Sequence, residues 1–186
     1  MVCFSMDADR SIWMWKGAPF VFMKKMILLA GPLFIFAFVL TACGLQNTQN
    51  VILNELGMDV SNGNEISNLD THGGFHGDGM TCIVLSFPDH KVLEQIKADT
   101  RWKAFPLDGT AKTLIYGISD ETSIIGPFLN DGNGDPLVPE IQNGYYLLID
   151  RHTGKGTDIL NRGSFNFTLV LYDTDADTLY YCKLDT

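Results

Sequence analysis

From Ser164 to Asp173 the chain alternates: Phe165, Phe167, Leu169 and Leu171 fall on one side, and Asn166, Thr168, Val170 and Tyr172 on the other. Side chains of a strand point to opposite faces in turn, so this period of two predicts a strand with one apolar and one semi-polar face. Thr178 to Leu184 (T-L-Y-Y-C-K-L) is a second β-rich run, and the T-D-A-D between them reads as a turn, which makes the pair a β-hairpin. The semi-polar side suggests an antiparallel sheet covered on one face only.

Further strands are predicted over Met80–Phe87, which is dense in apolar and β-branched residues, over Tyr145–Asp150, over Thr113–Ile118, and near Glu65–Thr71. The clearest helix opens after Pro88-Asp89, where proline and an acidic residue favour a first turn. Val92, Leu93, Ile96 and Thr100 then recur at three- and four-residue spacing, while Lys91, Glu94, Lys97 and Arg101 take the other side. Its end is expected near Trp102–Ala104, ahead of Pro106. Val51–Leu56 reads as a brief helix stopped by Gly57, with a first strand as the alternative. Ser119–Glu140 and Arg151–Gly163 are polar, glycine- and proline-containing connections. Together these elements predict an α+β fold: a mostly antiparallel sheet of four to six strands, one or two packed helices, and a C-terminal β-hairpin.

The N-terminal quarter has a different pattern. Lys24 and Lys25 precede an uncharged apolar stretch from Met26 to Val39, and Leu40-Thr41-Ala42-Cys43 follows. A basic n-region, an apolar h-region and a small-residue cleavage site, in that order, make an export signal. Leu40-Thr41-Ala42-Cys43 resembles the lipobox of bacterial lipoproteins, and the resemblance covers Met23 to Gly44. It implies that diacylglycerol is attached to the Cys43 thiol and that a peptidase cuts just before it. The competing reading is an uncleaved anchor, since the seventeen residues from Met26 to Ala42 are at the short end of what spans a bilayer.

The expected organisation is residues 1–22 as a mis-assigned start or an extension, 23–42 as signal peptide, 43–50 as a polar tether, and 51–186 as one globular domain. Met1–Phe22 holds Asp7, Asp9, Arg10 and Lys16, which no signal peptide needs. Removing 42 of the 186 residues leaves 144, enough for one core. That product carries nine Lys/Arg and twenty Asp/Glu, a formal charge of −11. So acidic a domain gives no electrostatic footprint for nucleic acid and is repelled by anionic headgroups, which leaves lipid on Cys43 as the expected membrane attachment. With Cys3 upstream and Cys43 lipidated, Cys82 and Cys182 remain, either bridged as exported pairs often are or packed as two buried thiols.

The densest group of potential ligands is Asp70, His72, His76 and Asp78 among four glycines between residues 73 and 79. Imidazole and carboxylate suit a divalent metal such as zinc, although a glycine-rich loop of this kind also caps its own backbone. Asp131-Gly-Asn133-Gly-Asp135 and Asp173-Thr-Asp175-Ala-Asp177 open like calcium loops but lack the glycine and glutamate an EF-hand requires. Asp150-Arg151-His152 follows a strand, where site residues often sit. No nucleophile elbow, Walker loop, Rossmann fingerprint, HExxH or CxxC occurs. The expectation is a lipid-anchored extracytoplasmic binding module without a cofactor. A metal-binding protein or metal-dependent hydrolase built on Asp70, His72, His76 and Asp78 is the alternative.

Overall fold

The computed structural model describes residues 48–73, 77–119, 121–154 and 156–186, all in a folded unit that begins at Leu45. Cys43 and the lipobox, and His76 of the glycine-rich loop, lie outside the described residues. Three α-helices and eight strands follow in order. They are α1 (described over 48–56), β1 (Asn64–Asp70), β2 (Gly79–Ser86), α2 (Lys91–Ala98), β3 (Lys103–Ala104), α3 (Gly109–Tyr116), β4 (Ile118–Ser119), β5 (Ile124–Ile125), β6 (Gly144–Asp150), β7 (Asn166–Asp173) and β8 (Thr178–Asp185). A single 3-10 turn, Ile159–Asn161, interrupts the connection from β6 to β7.

Six strands form one antiparallel sheet in the order β1-β2-β8-β7-β6-β3, and β4 and β5 form a separate two-stranded ribbon. The fold is α+β, with the expected C-terminal hairpin: β7 pairs with β8 from Asn166↔Asp185 to Asp173↔Thr178, and residues 174–177 turn between them. Most of Met80–Phe87 becomes the interior strand β2, in which Met80, Cys82, Ile83 and Leu85 are buried.

The sheet is covered on both faces rather than one. Ile83, Leu85, Val170, Tyr172, Leu179 and Tyr181 meet α1 and α2 through Ile52, Leu56, Val92 and Ile96. Met80, Cys82, Phe167, Leu169, Leu171 and Cys182 meet α3 through Ala111, Leu114 and Ile115. Thr168 and Tyr172, which made the second face of β7 look semi-polar, are 0% exposed. Their hydroxyls find acceptors on Glu55 and Asp177, so burial leaves no polar group unpaired there.

Two elements differ from expectation. In the segment expected as a strand over Thr113–Ile118, Thr113–Tyr116 form the second half of α3 instead, Gly117 caps it, and only Ile118 enters a strand, β4. The Asp108 carboxylate accepts a hydrogen bond from the Ala111 amide (2.9 Å) and caps the helix, and Gly117 ends it at φ +73°. A Cβ at Gly117 would stand 2.8 Å from the Pro127 nitrogen, so this turn needs glycine. Helix α2 ends at Ala98, short of Trp102–Ala104, because the Asp99 carboxylate receives the backbone and guanidinium N–H groups of Arg101 and turns the chain. The tether is also shorter than residues 43–50: residues 48–50 are helical, Thr48 is buried, and Gln49 donates to the carbonyl oxygens of Ser61 and Gly63.

Candidate functional site

At one end of the sheet five strand ends come together: the last residue of β1, the first turn of β2, the last residue of β8, the start of β7 and the residue after β6. Their side chains form one polar chain. Asp70 closes β1, and its Oδ1 accepts from the His72 amide (3.0 Å) and faces His72 Nδ1 at 2.7 Å. Those bonds from His72, backbone first, hold the Asp70 carboxyl below its ordinary range. Across the ring, Nε2 faces Asp185 Oδ2 of β8 at 3.4 Å, and the Thr81 hydroxyl lies 3.3 Å from Nδ1. The close seating of His72 on β2 depends on Gly79, where a Cβ would fall 2.5 Å from the His72 Cα.

Asp185 links the histidine to Arg151. Arg151 Nη1 donates to Asp185 Oδ1 (2.7 Å), Nε donates to Thr168 Oγ1 (3.0 Å), and Nη2 donates to the carbonyls of Phe167 and Leu184 (3.0 Å each). Burial pushes the Asp185 carboxyl up, but the hydrogen bond and charge of Arg151 outweigh it, with help from Lys183 and His72, and the net direction is down. The Thr168 hydroxyl in turn donates a hydrogen bond to Glu55 of α1, which also accepts from the Tyr181 hydroxyl at 2.5 Å. Burial, then this bond to Glu55, drives the Tyr181 phenol well above its usual value. Glu55 follows Ile52 by three residues, so it shares the inward stripe of α1.

Of the residues singled out in the sequence, Asp70, His72 and Arg151 come together through Asp185. Asp150 and His152 do not join them. Asp150 is held by a two-pronged pair with Arg162 (2.8 and 2.9 Å), which keeps its carboxyl low, and the His152 ring faces Ser164. Asp78 is exposed and makes no hydrogen bond or ion pair among the described residues. No group of three His, Cys, Asp or Glu side chains is placed to hold a metal ion among the described residues. A metal could take His72 only by displacing an aspartate from one of its nitrogens.

Both calcium-like loops use their carboxylates on themselves. Asp131 accepts from the backbone of Asn133 and Asp135, and Asp173 accepts from the backbone of Asp175 and Ala176. Cys82 and Cys182, directly opposite in β2 and β8, have sulfurs at bonding distance (2.12 Å) and Cα atoms 4.1 Å apart.

On the α3 side of the same sheet end opens a cleft of about 350 Å³. Leu69, Met80, Phe128 and Leu184 give it an apolar floor, and Asp78, Asp131 and Asp185 stand among its lining. No local motif marks Asp185 or Phe128 as a site residue: each arrives from a segment far from the glycine-rich loop. No family model, no curated protein and no solved structure matches this chain.

Proposed function

We propose that this chain is an exported lipoprotein, held outside the cytoplasmic membrane by lipid on Cys43, whose folded domain acts as a binding module. The observation that carries the reading is where the fold starts. The unit begins at Leu45, two residues after the lipobox cysteine, and helix residues are already packed by Thr48. A cut before Cys43 would therefore fall ahead of the folded unit in the chain and leave the lipid-bearing residue two positions before its first residue. Among the described residues no helix is long and apolar enough to cross a membrane. The domain's charge of −11 gives anionic headgroups nothing to attract, so two acyl chains on one cysteine supply the attachment.

Feeding a tagged fatty acid to bacteria expressing the chain tests this directly. The expected product is labelled and lighter than the precursor by residues 1–42, and Cys43→Ala leaves an unlabelled chain at precursor size. An unlabelled wild-type product, or identical processing of Cys43→Ala, overturns the reading. The meeting of Asp70 and His72 favours a second reading, a divalent-metal site completed by His76 and Asp78. Elemental analysis of the purified chain decides it: no stoichiometric metal, and no change on His72→Ala, removes it.

A further inference from the structure

The cleft at the sheet end meets the Arg151 network at Asp185 but has a chemistry of its own. Among the described residues its lining holds no Lys, Arg or His. Two of its three carboxylates are committed elsewhere: Asp131 folds back on its own loop, and Asp185 faces Arg151, with Lys183 Nζ at 3.6 Å. Asp78 is exposed at the cleft and has no partner among the described residues. The floor is aliphatic and aromatic, with Phe128 braced by Phe165 at a ring separation of 4.4 Å. Thr71 and Asn130 at the walls already spend their hydrogen bonds on backbone groups: Thr71 on both the amide and the carbonyl of Met80, Asn130 on Pro127 and Gly132.

An apolar hollow whose described lining carries carboxylates and no basic side chain, with Asp78 the one that has no partner among the described residues, selects a particular occupant. The body must be apolar to replace water on Leu69, Met80 and Phe128, and one cationic group must reach Asp78. A neutral ligand leaves Asp78 unused, and an anion is repelled. We infer that this cleft binds a small amphiphilic amine, with its hydrocarbon on the floor and its ammonium group on Asp78. The inference rests on the binding-module reading and assigns the ligand class. A cavity of this size is at the small end of those that hold small organic molecules.

The test uses the full chain purified in detergent with labelled Met and Leu methyl groups, titrated with phenethylamine and, separately, with phenethyl alcohol. The amine is expected to shift the Met80 and Leu184 methyl signals saturably. The alcohol, and the amine on Asp78→Asn, are expected to bind about tenfold more weakly, the usual scale for losing a charge-assisted hydrogen bond. Glu121→Gln, on an exposed loop outside the cleft, is expected to bind as wild type. Because Asp78 is exposed and unbonded, Asp78→Asn should keep the wild-type melting temperature, so weakened binding is not misfolding. Equal affinity for amine and alcohol, or unchanged affinity on Asp78→Asn, overturns the inference. Saturable shifts confined to another surface overturn the cleft assignment but leave the binding reading standing. Absence of any saturable shift removes the amine as ligand, while fatty-acid labelling reports on the anchor independently.

Discussion

Arg151 ties three strands with four hydrogen bonds, one to a carboxylate and two to backbone carbonyls at the ends of β7 and β8. Lysine keeps the charge but cannot make that planar fork. Arg151→Lys is therefore expected to cost about 1.5–3 kcal/mol, the contribution of one bond to a charged group, since the ammonium can keep Asp185 and water reaches part of what the fork releases. Urea unfolding measures it. Asp185 adds a pH dependence. Its carboxyl sits lower in the folded chain than the unfolded value of about 3.9, so its contribution is full above that value and is lost as pH falls further. Stability should fall as pH drops below about 4, and Asp185→Asn should flatten part of that slope in urea titrations at stepped pH. Asp70 and Asp150, held low as well, supply other parts. Sequence reading reached Asp70, His72 and Arg151 through local clustering and position after a strand. Asp185, the shared partner of His72 and Arg151, lies 113 residues from His72, and Thr168 lies 113 residues from Glu55. Spacing along the chain carries no trace of such pairs.

Helix α3 shows the same limit one scale up. T-L-I-Y looks like a strand because isoleucine, threonine and tyrosine favour one, and propensity is a weak prior that tertiary packing overrides. The deciding signals were at its ends, Asp108 as cap and Gly117 as stop, and both were readable. They also make a paired prediction. At Gly109 an added Cβ meets nothing within 4 Å, so Gly109→Ala should be neutral or stabilise by up to about 1 kcal/mol. Gly117→Ala meets backbone at 2.8 Å with φ +73° and should destabilise by about 1–3 kcal/mol, and thermal melts of the two variants separate the outcomes. The β7–β8 hairpin was legible because period-two alternation and a polar turn are local. That its second face is buried was not, because the helices covering it come from the first half of the domain. The pairing of β2 with β8 was equally hidden, and with it the approach of Cys82 to Cys182. Closing a loop between residues 100 apart restricts the unfolded chain by about 4–5 kcal/mol. The intact mass should rise by two protons on reduction under denaturing conditions. Reduced chain should unfold at markedly lower urea, and an unchanged mass removes the bridge.

At the scale of the whole molecule, charge and attachment pull in opposite directions. Twenty acidic against nine basic side chains beyond residue 42 leave a domain that anionic lipid repels, while the lipid proposed on Cys43, two residues before the folded unit, would hold it within reach of that surface. If ions held it, raising the salt would release it, because charges more than about 3 Å apart are screened at about 1 M. If two acyl chains hold it, salt should do the reverse of loosening: screening removes the repulsion and leaves the hydrophobic term, about 0.8 kcal/mol per buried CH₂, untouched. Membranes washed in about 1 M NaCl should therefore retain the processed chain as fully as membranes washed at low salt, and only detergent should release it. Release by salt alone would mean that a protein partner or a basic patch, rather than lipid, keeps the domain in place.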